Sequence, residues 1–326
     1  MTGKKTTGEK TLMLFSGRAH PALADEVGFE LDIAVSPTEI RDFADGEIYA
    51  RFKESVRGCD AFVVQSMTTP VNQWFMETLV MCDALKRGSA KRITVVVPYY
   101  PYARQDKKSR GREPISARLI ADLYKCAGAD RILTVDLHTS QIQGFFDGPV
   151  DHLFALPLLA DYIADNYDPT RLAVVAPDSG RVRVAERWTE RLGGVPLAFI
   201  HKTRDITVPN SVVANRVVGE VQGRTCIVVD DMIDTAGTIT KAADALIDAG
   251  ASGVMAAATH AVLSGPAIDR LKNSRISEIV VTNTLPLTDE QRFDKLTVLS
   301  IAPLVARAIK EVFEDGSVTS LFDGEA

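Results

Sequence analysis

Short apolar runs of strand length alternate with segments of helical period along almost the whole chain, and this alternation restricts the fold more than any other feature. The runs cover residues 12–15, 61–64, 93–97 and 132–135 in the first half, and 172–175, 197–200, 226–229, 253–258, 278–282 and 296–300 in the second. Between them lie stretches such as 71–87, where Phe75, Leu79 and Cys82 recur at helical spacing. Parallel strands need long crossovers, and helices in those crossovers cover both sheet faces, so the pattern implies an α/β chain of mainly parallel sheets flanked by helices. A chain of 326 residues is long for one such core and comfortable as two. The change of domain is placed after residues 144–151, where Gly and Pro interrupt the pattern, so the first domain covers 1–150. Arg131-Ile-Leu-Thr-Val-Asp136 and Arg224-Thr-Cys-Ile-Val-Val-Asp230 end their runs alike, a hint of two related halves.

With 46% hydrophobic and 25% charged residues, wholesale disorder is excluded. No apolar run approaches the ~18 residues of a membrane helix, and Lys4, Lys5 and Lys10 precede too short an apolar run for a signal peptide. Cys59, Cys82, Cys126 and Cys226 are scattered, without metal-ligand spacing or a disulfide framework, and a reducing cytoplasm is expected. The net charge of −6 argues against nucleic acid as a partner, so phosphate ligands must be met by local basic groups or bound cations.

The stretch 226–239 carries the clearest chemistry. An apolar run ends in Asp230-Asp231 and is followed by Asp234-Thr235-Ala236-Gly237-Thr238-Ile239. Carboxylates at a strand end can accept hydrogen bonds from ribose hydroxyls, and a small-residue loop opening a helix turns N–H groups and Thr hydroxyls toward a phosphate. A plain strand-to-helix turn, with Asp234 or Thr238 as N-cap, would explain the loop but not two adjacent, mutually repelling carboxylates.

Other strand ends bear polar groups too, and in open parallel sheets ligands bind beyond the carboxyl ends of strands. Tyr99-Tyr-Pro-Tyr-Ala-Arg104-Gln105-Asp106-Lys107-Lys108 mixes aromatic and cationic groups suited to a nucleotide, where a solvated basic loop is the plainer reading. His138, in Asp136-Leu-His-Thr-Ser-Gln, and Asp178, in Pro177-Asp-Ser-Gly180, each follow a run and suit a magnesium ion that keeps waters and takes few protein ligands. Lys202 and Arg204 follow the run 197–200 and would point the same way from extended chain, able to clamp a transferring group; residues 207–223 read as further extended chain.

Together these segments resemble the ribose-phosphate pyrophosphokinases (synthetases of phosphoribosyl diphosphate, PRPP) of the phosphate-dependent first class. The blocks that carry the resemblance are Phe43-Ala-Asp-Gly-Glu47, Tyr102-Ala-Arg-Gln-Asp-Lys-Lys108, the segments around His138 and Asp178, Lys202-Thr-Arg204 and residues 229–238, in that order, and the likeness runs from about residue 12 to 322. It implies two phosphoribosyltransferase-type domains, the second over 151–305, with a C-terminal helix and tail over 306–326 returning toward the first. By the same resemblance ATP would meet Arg104, Gln105, Asp106 and Lys107, together with Phe43, Asp45 and Glu47 of a neighbouring subunit. His138 and Asp178 match magnesium positions, and Lys202 and Arg204 match a flexible catalytic loop. Ribose 5-phosphate would take Asp230, Asp231, Asp234, Thr235, Ala236, Gly237 and Thr238. Ser55, Arg57, Arg112 and the tail residues Ser317, Val318, Thr319, Ser320 and Phe322 match an anion site between subunits, where inorganic phosphate activates and ADP inhibits. A homohexamer built from dimers is implied.

The chain departs from the pattern in three places: many relatives read Asp-Ala-Gly-Gly at Asp178-Ser-Gly-Arg181, Lys-Arg-Arg at Lys202-Thr-Arg204, and Gly or Cys at Ala236. The implied reaction passes the β,γ-diphosphate of ATP to the C1 hydroxyl of ribose 5-phosphate, giving PRPP and AMP for nucleotide biosynthesis. One rival is a phosphoribosyltransferase, which would leave the whole first domain unexplained. Another is a catalytically silent regulatory homologue, which could lose His138, Lys202 or Arg204; all three are present.

Overall fold

The structure, a computed structural model, describes residues 4–7, 10–203 and 214–322. It contains two compact units. The first takes the chain as far as Phe154, together with Thr284–Pro286 and the chain from Ser300 on; the second takes Ala155–Asn283 and Leu287–Leu299.

The first unit runs β1 (Lys4–Thr7), β2 (Lys10–Ser16), α1 (Pro21–Leu31), β3 (Thr38–Asp42), β4 (Ile48–Phe52), β5 (Asp60–Val64), α2 (Val71–Arg87), β6 (Arg92–Val96), α3 (Ser116–Ala127), β7 (Arg131–Val135) and β8 (Val150–Leu153). Six of the strands make one sheet in the order β1-β2-β5-β6-β7-β8, parallel except for β1 against β2, while β3 and β4 form a separate antiparallel hairpin. Every residue of β5 is buried, as a strand covered on both faces requires. Helix α3 shows how the covering layer is encoded: Ala117, Ile120, Ala121 and Tyr124 fall on one buried face, and Gly128, at φ 112°, ends the helix in a conformation open to glycine.

The second unit runs α4 (Leu156–Asn166), β9 (Leu172–Ala176), α5 (Val182–Arg191), β10 (Leu197–Thr203), β11 (Ala214–Val218), β12 (Thr225–Ile233), α6 (Gly237–Asp248), β13 (Gly253–Ala261), α7 (Ala267–Lys272), β14 (Ile279–Thr282) and β15 (Leu296–Leu299). Its seven-stranded sheet has the order β11-β10-β9-β12-β13-β14-β15, parallel except for β10 against β11. Central β12 buries Cys226 and Val228 in a core completed by Ala242, Ala243 and Leu246 of α6. Helix α8 (Ala302–Glu314) belongs to the first unit and packs on α1, and Ser300 Oγ donates to Glu26 Oε2 at 2.5 Å beside it.

The α/β class follows the sequence, and all the apolar runs are strands. The limits differ in four places. Strand β12 continues past Asp230 and Asp231, which the sequence placed at its end, because β13 is equally long and supplies backbone partners as far as Ile233 opposite Ala261. Strand β10 likewise continues through Lys202, paired with Asn215 of β11. The segment expected to part the domains forms β8, which pairs with β7 and carries the first unit on to Phe154; Arg131 Nη1 lies 2.6 Å from Asp151 Oδ2 across that pair. The chain rejoins the first unit at Ser300 rather than at residue 306. No helix among the described residues is long and apolar enough to cross a membrane.

Candidate active site

In the second unit the two carboxylates on β12 share one cation. Arg181 places Nε 3.1 Å from Asp230 Oδ1 and Nη2 2.6 Å from Asp231 Oδ1. Successive side chains of a strand ordinarily leave on opposite faces, so one guanidinium reaching both holds them closer to a common side than the pleat alone would. Asp231 is only 8% exposed, and its N–H donates to Asp230 Oδ1 at 2.9 Å. Burial raises the pKa of Asp230 above the ordinary carboxylate value, the neighbouring Asp231 raises it further, and the Arg181 charge opposes both.

The loop beyond β12 turns at Ala236, whose φ of 60° and ψ of 2° are left-handed. Helix α6 starts at Gly237, and no side chain caps it at Ala236, so its first N–H groups point out with the positive end of the helix dipole. Neither Asp234 nor Thr238, the caps that a plain strand-to-helix turn would use, takes the N-cap position. Asp234 instead accepts from Ser264 Oγ, and Ser264 N–H donates to the Asp234 carbonyl at 3.1 Å, which ties the loop to the chain after β13. Arg270 on α7 donates from Nη1 to the Thr235 carbonyl at 2.9 Å. A Cβ on Gly237 would lie 3.2 Å from the same Nη1, so the missing side chain gives the guanidinium room beside the helix start. Thr235 and Thr238 are exposed at this rim. Two carboxylates, an uncapped helix start and a nearby guanidinium can hold a sugar by its hydroxyls and a phosphate by backbone N–H groups.

Asp178 follows β9, half-buried, with Oδ1 accepting the Gly180 N–H at 2.9 Å; the turn it caps leads through Arg181 into α5. Lys202 lies within β10, and Arg204 is outside the described residues. Among the described residues no three His, Cys, Asp or Glu side chains cluster as a metal site. Magnesium carried by substrate phosphates takes one or two protein ligands, and half-buried Asp178 is a hard oxygen ligand of the kind it takes.

In the first unit the segment after β6 is folded inward at some positions and outward at others. Tyr99 and Tyr100 are buried, Tyr100 Oη donating to the Ala117 carbonyl at 2.9 Å, while Arg104, Gln105 and Lys107 are exposed. Gln105 Oε1 accepts from Ser116 Oγ at 2.5 Å. Asp106 is turned inward: only 6% exposed, its Oδ2 accepts from Thr139 Oγ1 at 2.8 Å and Gln141 Nε2 at 2.6 Å. Those bonds fasten the segment to the loop that begins with Asp136, at φ 39°, and carries half-buried His138. Phe43, Asp45 and Glu47 form the tip of the β3–β4 hairpin, closed by Phe43 N–H to the Glu47 carbonyl at 2.7 Å. Phe43 is 43% exposed and stacks under the Arg41 guanidinium, 4.9 Å from its ring centre.

The hairpin is anchored beside its tip, at the end of β3, from within the unit. Arg18 binds Asp42 through Nη1 at 3.1 Å and Nη2 at 2.6 Å, and binds fully buried Glu77 of α2 through Nε at 2.6 Å and N–H at 2.7 Å. Ser55, Arg57 and Arg112 are exposed, Arg112 at φ 70°. The tail makes a short 3-10 turn over Val318–Phe322, with Ser317 Oγ 2.7 Å from Thr319 Oγ1 and Ser320 Oγ donating to the Ser317 carbonyl at 2.5 Å. Among the described residues no hydrogen bond or ion pair links Ser55, Arg57 or Arg112 to that tail.

Sequence reasoning noted Arg181 only as a departure and passed over Arg270, Arg18 and Glu77. Arg181 had a signal, a cation directly after Asp178-Ser-Gly at a helix start. The others touch their sites from distant parts of the chain and left none.

A family model described as the N-terminal domain of ribose phosphate pyrophosphokinase matches residues 12–128, and one described as the phosphoribosyl synthetase-associated domain matches residues 204–323. The sequence is 68% identical to a ribose-phosphate pyrophosphokinase of Streptomyces coelicolor over 99% of both chains, and 67% identical to one of Mycobacterium leprae over 98% of both. A crystal structure of phosphoribosylpyrophosphate synthetase from Mycobacterium smegmatis shares 65% of the sequence, covers 94% of this chain and 99% of its own, and superposes with a TM-score of 0.89.

Proposed function

The chain belongs to the ribose-phosphate pyrophosphokinase family, and from that membership we propose that ribose 5-phosphate takes residues 230–238 while ATP takes the segment around Arg104. The enzyme transfers the β,γ-diphosphate of ATP to ribose 5-phosphate. A bond forms between the C1 oxygen and the β-phosphorus, the bond from that phosphorus to the α,β-bridging oxygen breaks, and AMP leaves. The observation that carries the site reading is the sequence of features along β12 and α6: paired carboxylates, a left-handed turn at Ala236, then a helix start that no side chain caps. The carboxylates accept from the sugar hydroxyls and the helix start takes the 5-phosphate.

Asp106 is a positioning residue in this reading, since its inward bonds hold the Arg104 segment against the His138 loop. Phe43, Asp45 and Glu47 at the hairpin tip complete the nucleotide site of a neighbouring copy. His138 and Asp178 would hold magnesium, which when bound neutralises phosphate charge and aligns the diphosphate. Lys202 and Arg204 meet the charge that builds on the transferring group. Ser55, Arg57, Arg112 and residues 317–322 form an anion site between copies in a hexamer, where phosphate activates and ADP inhibits. Free cysteines without a disulfide framework, together with these substrates, support the reading of a cytoplasmic setting.

Asp231→Ala tests the placement. It is expected to raise KM for ribose 5-phosphate about 10-fold or more, the worth of a lost bond to a charged group, with KM for ATP little changed. An effect confined to ATP would place the two substrates the other way round.

A further inference from the structure

Nothing in the reaction as described uses Arg181. Its side chain is 17% exposed and contacts both carboxylates of the ribose subsite, from a different part of the chain. It reaches them from the turn between β9 and α5, while Asp230 and Asp231 ride on β12, the parallel neighbour of β9. An ion pair that only fastened α5 to the sheet would need one carboxylate. Here one guanidinium divides between two adjacent carboxylates, through Nε to the first and Nη2 to the second, with both contacts on Oδ1 atoms. A carboxylate has about four acceptor positions, so these contacts leave each one able to accept from a hydroxyl. Two adjacent carboxylates, Asp231 buried and Asp230 partly so, repel each other, and the Arg181 charge opposes the rise that burial and Asp231 give the pKa of Asp230. One cation against two anions offsets that repulsion and leaves a net negative acceptor surface.

We propose that Arg181 is a positioning residue of the ribose subsite: its guanidinium bridges the carboxylates of Asp230 and Asp231 and holds them adjacent, so that both meet the hydroxyls of one sugar. The inference rests on the placement of ribose 5-phosphate at residues 230–238. It makes Arg181 a determinant of affinity for the sugar and not for the nucleotide.

The test is calorimetric titration of ribose 5-phosphate into the full chain with magnesium present, alongside steady-state KM for both substrates, in Arg181→Met, Arg181→Lys and Asp231→Ala. Arg181→Met, which keeps the stem and removes the charge, is expected to weaken ribose 5-phosphate binding about 10-fold while KM for ATP moves less than about 2-fold. Arg181→Lys, a point charge without the fork, should fall between Met and wild type. Should Arg181→Met fail to fold, which its thermal midpoint shows, Arg181→Lys against wild type gives the same reading, a loss for the sugar alone. Wild-type or tighter sugar binding in Arg181→Met, an equal loss for both substrates, or a Lys variant no better than Met would each overturn the inference. Asp231→Ala separates the two levels. If it loses sugar affinity and Arg181→Met does not, only the role of Arg181 falls; if Asp231→Ala binds the sugar normally, the ribose placement falls and takes the inference with it.

Discussion

Lys202 lies within β10, its backbone paired to Asn215, so it starts from a fixed arm rather than from a free loop. A cation that meets charge developing only in the transition state lowers the barrier to the step and not the ground state. Lys202→Ala is therefore expected to lower kcat at least ~10²-fold with much smaller changes in either KM. A variant that keeps its kcat and only binds ATP more weakly would make Lys202 a binding residue. Asp230, Asp231 and Ala236 were legible as residues because their types are costly or unusual where they stand: two like charges side by side, then a small residue at the left-handed turn. Asp106 was legible as part of a functional segment but not in its orientation. Its inward turn depends on Thr139 and Gln141, which the fold brings from beyond the next strand.

Elements whose partners are local in sequence followed from pattern, and those held by distant groups did not. The β3–β4 hairpin pairs with no strand of the main sheet, and its tip end is fixed by the chain Asp42–Arg18–Glu77, with Gln65 Nε2 also donating to Glu77 Oε1 at 2.9 Å. Glu77→Ala removes a fully buried acceptor and leaves Arg18 and Gln65 without it, so the first unit should lose about 3 kcal/mol, the low end for breaking a buried pair. The transition of that unit in calorimetry measures this, and a loss below about 1 kcal/mol would show that the hairpin stands without its anchor. The outer half of the link depends on pH. Hydrogen bonding to Arg18 holds Asp42 below its ordinary pKa of 3.8, so its contribution is present above that value and is lost as the pH falls through the lower, folded-state pKa. The extra length of β12 was hidden for a related reason. Periodicity reports side-chain burial, whereas a strand persists as long as its neighbour offers backbone partners, even through Asp230 and Asp231.

For the molecule as a whole, alternation gave the α/β class and two units, but not the return of the chain to the first unit. That return rests on α8, which packs on α1 and buries Val305, Ile309 and Phe313, with Asp315 pairing at the surface with Lys10 and, at 3.1 Å, with Arg92 Nη1, contacts between parts of the chain too far apart in sequence to leave a pattern. Arg57 and the 317–322 tail have no mutual contact among the described residues, and the anion site proposed for them is one shared between copies. The full chain is accordingly expected to sediment as a hexamer and to gain activity with inorganic phosphate, and Arg57→Ala should blunt both that gain and inhibition by ADP. A fully active monomer indifferent to phosphate would remove the regulatory reading and leave the catalytic one standing. The central claim is that the β-phosphorus of ATP, and not the γ-phosphorus, is attacked. With ATP labelled in its γ-phosphate, magnesium and ribose 5-phosphate, the label should appear in the sugar product as part of a diphosphate, with one AMP released for each; ADP as the primary nucleotide product, with a single phosphate on the sugar, would contradict the account.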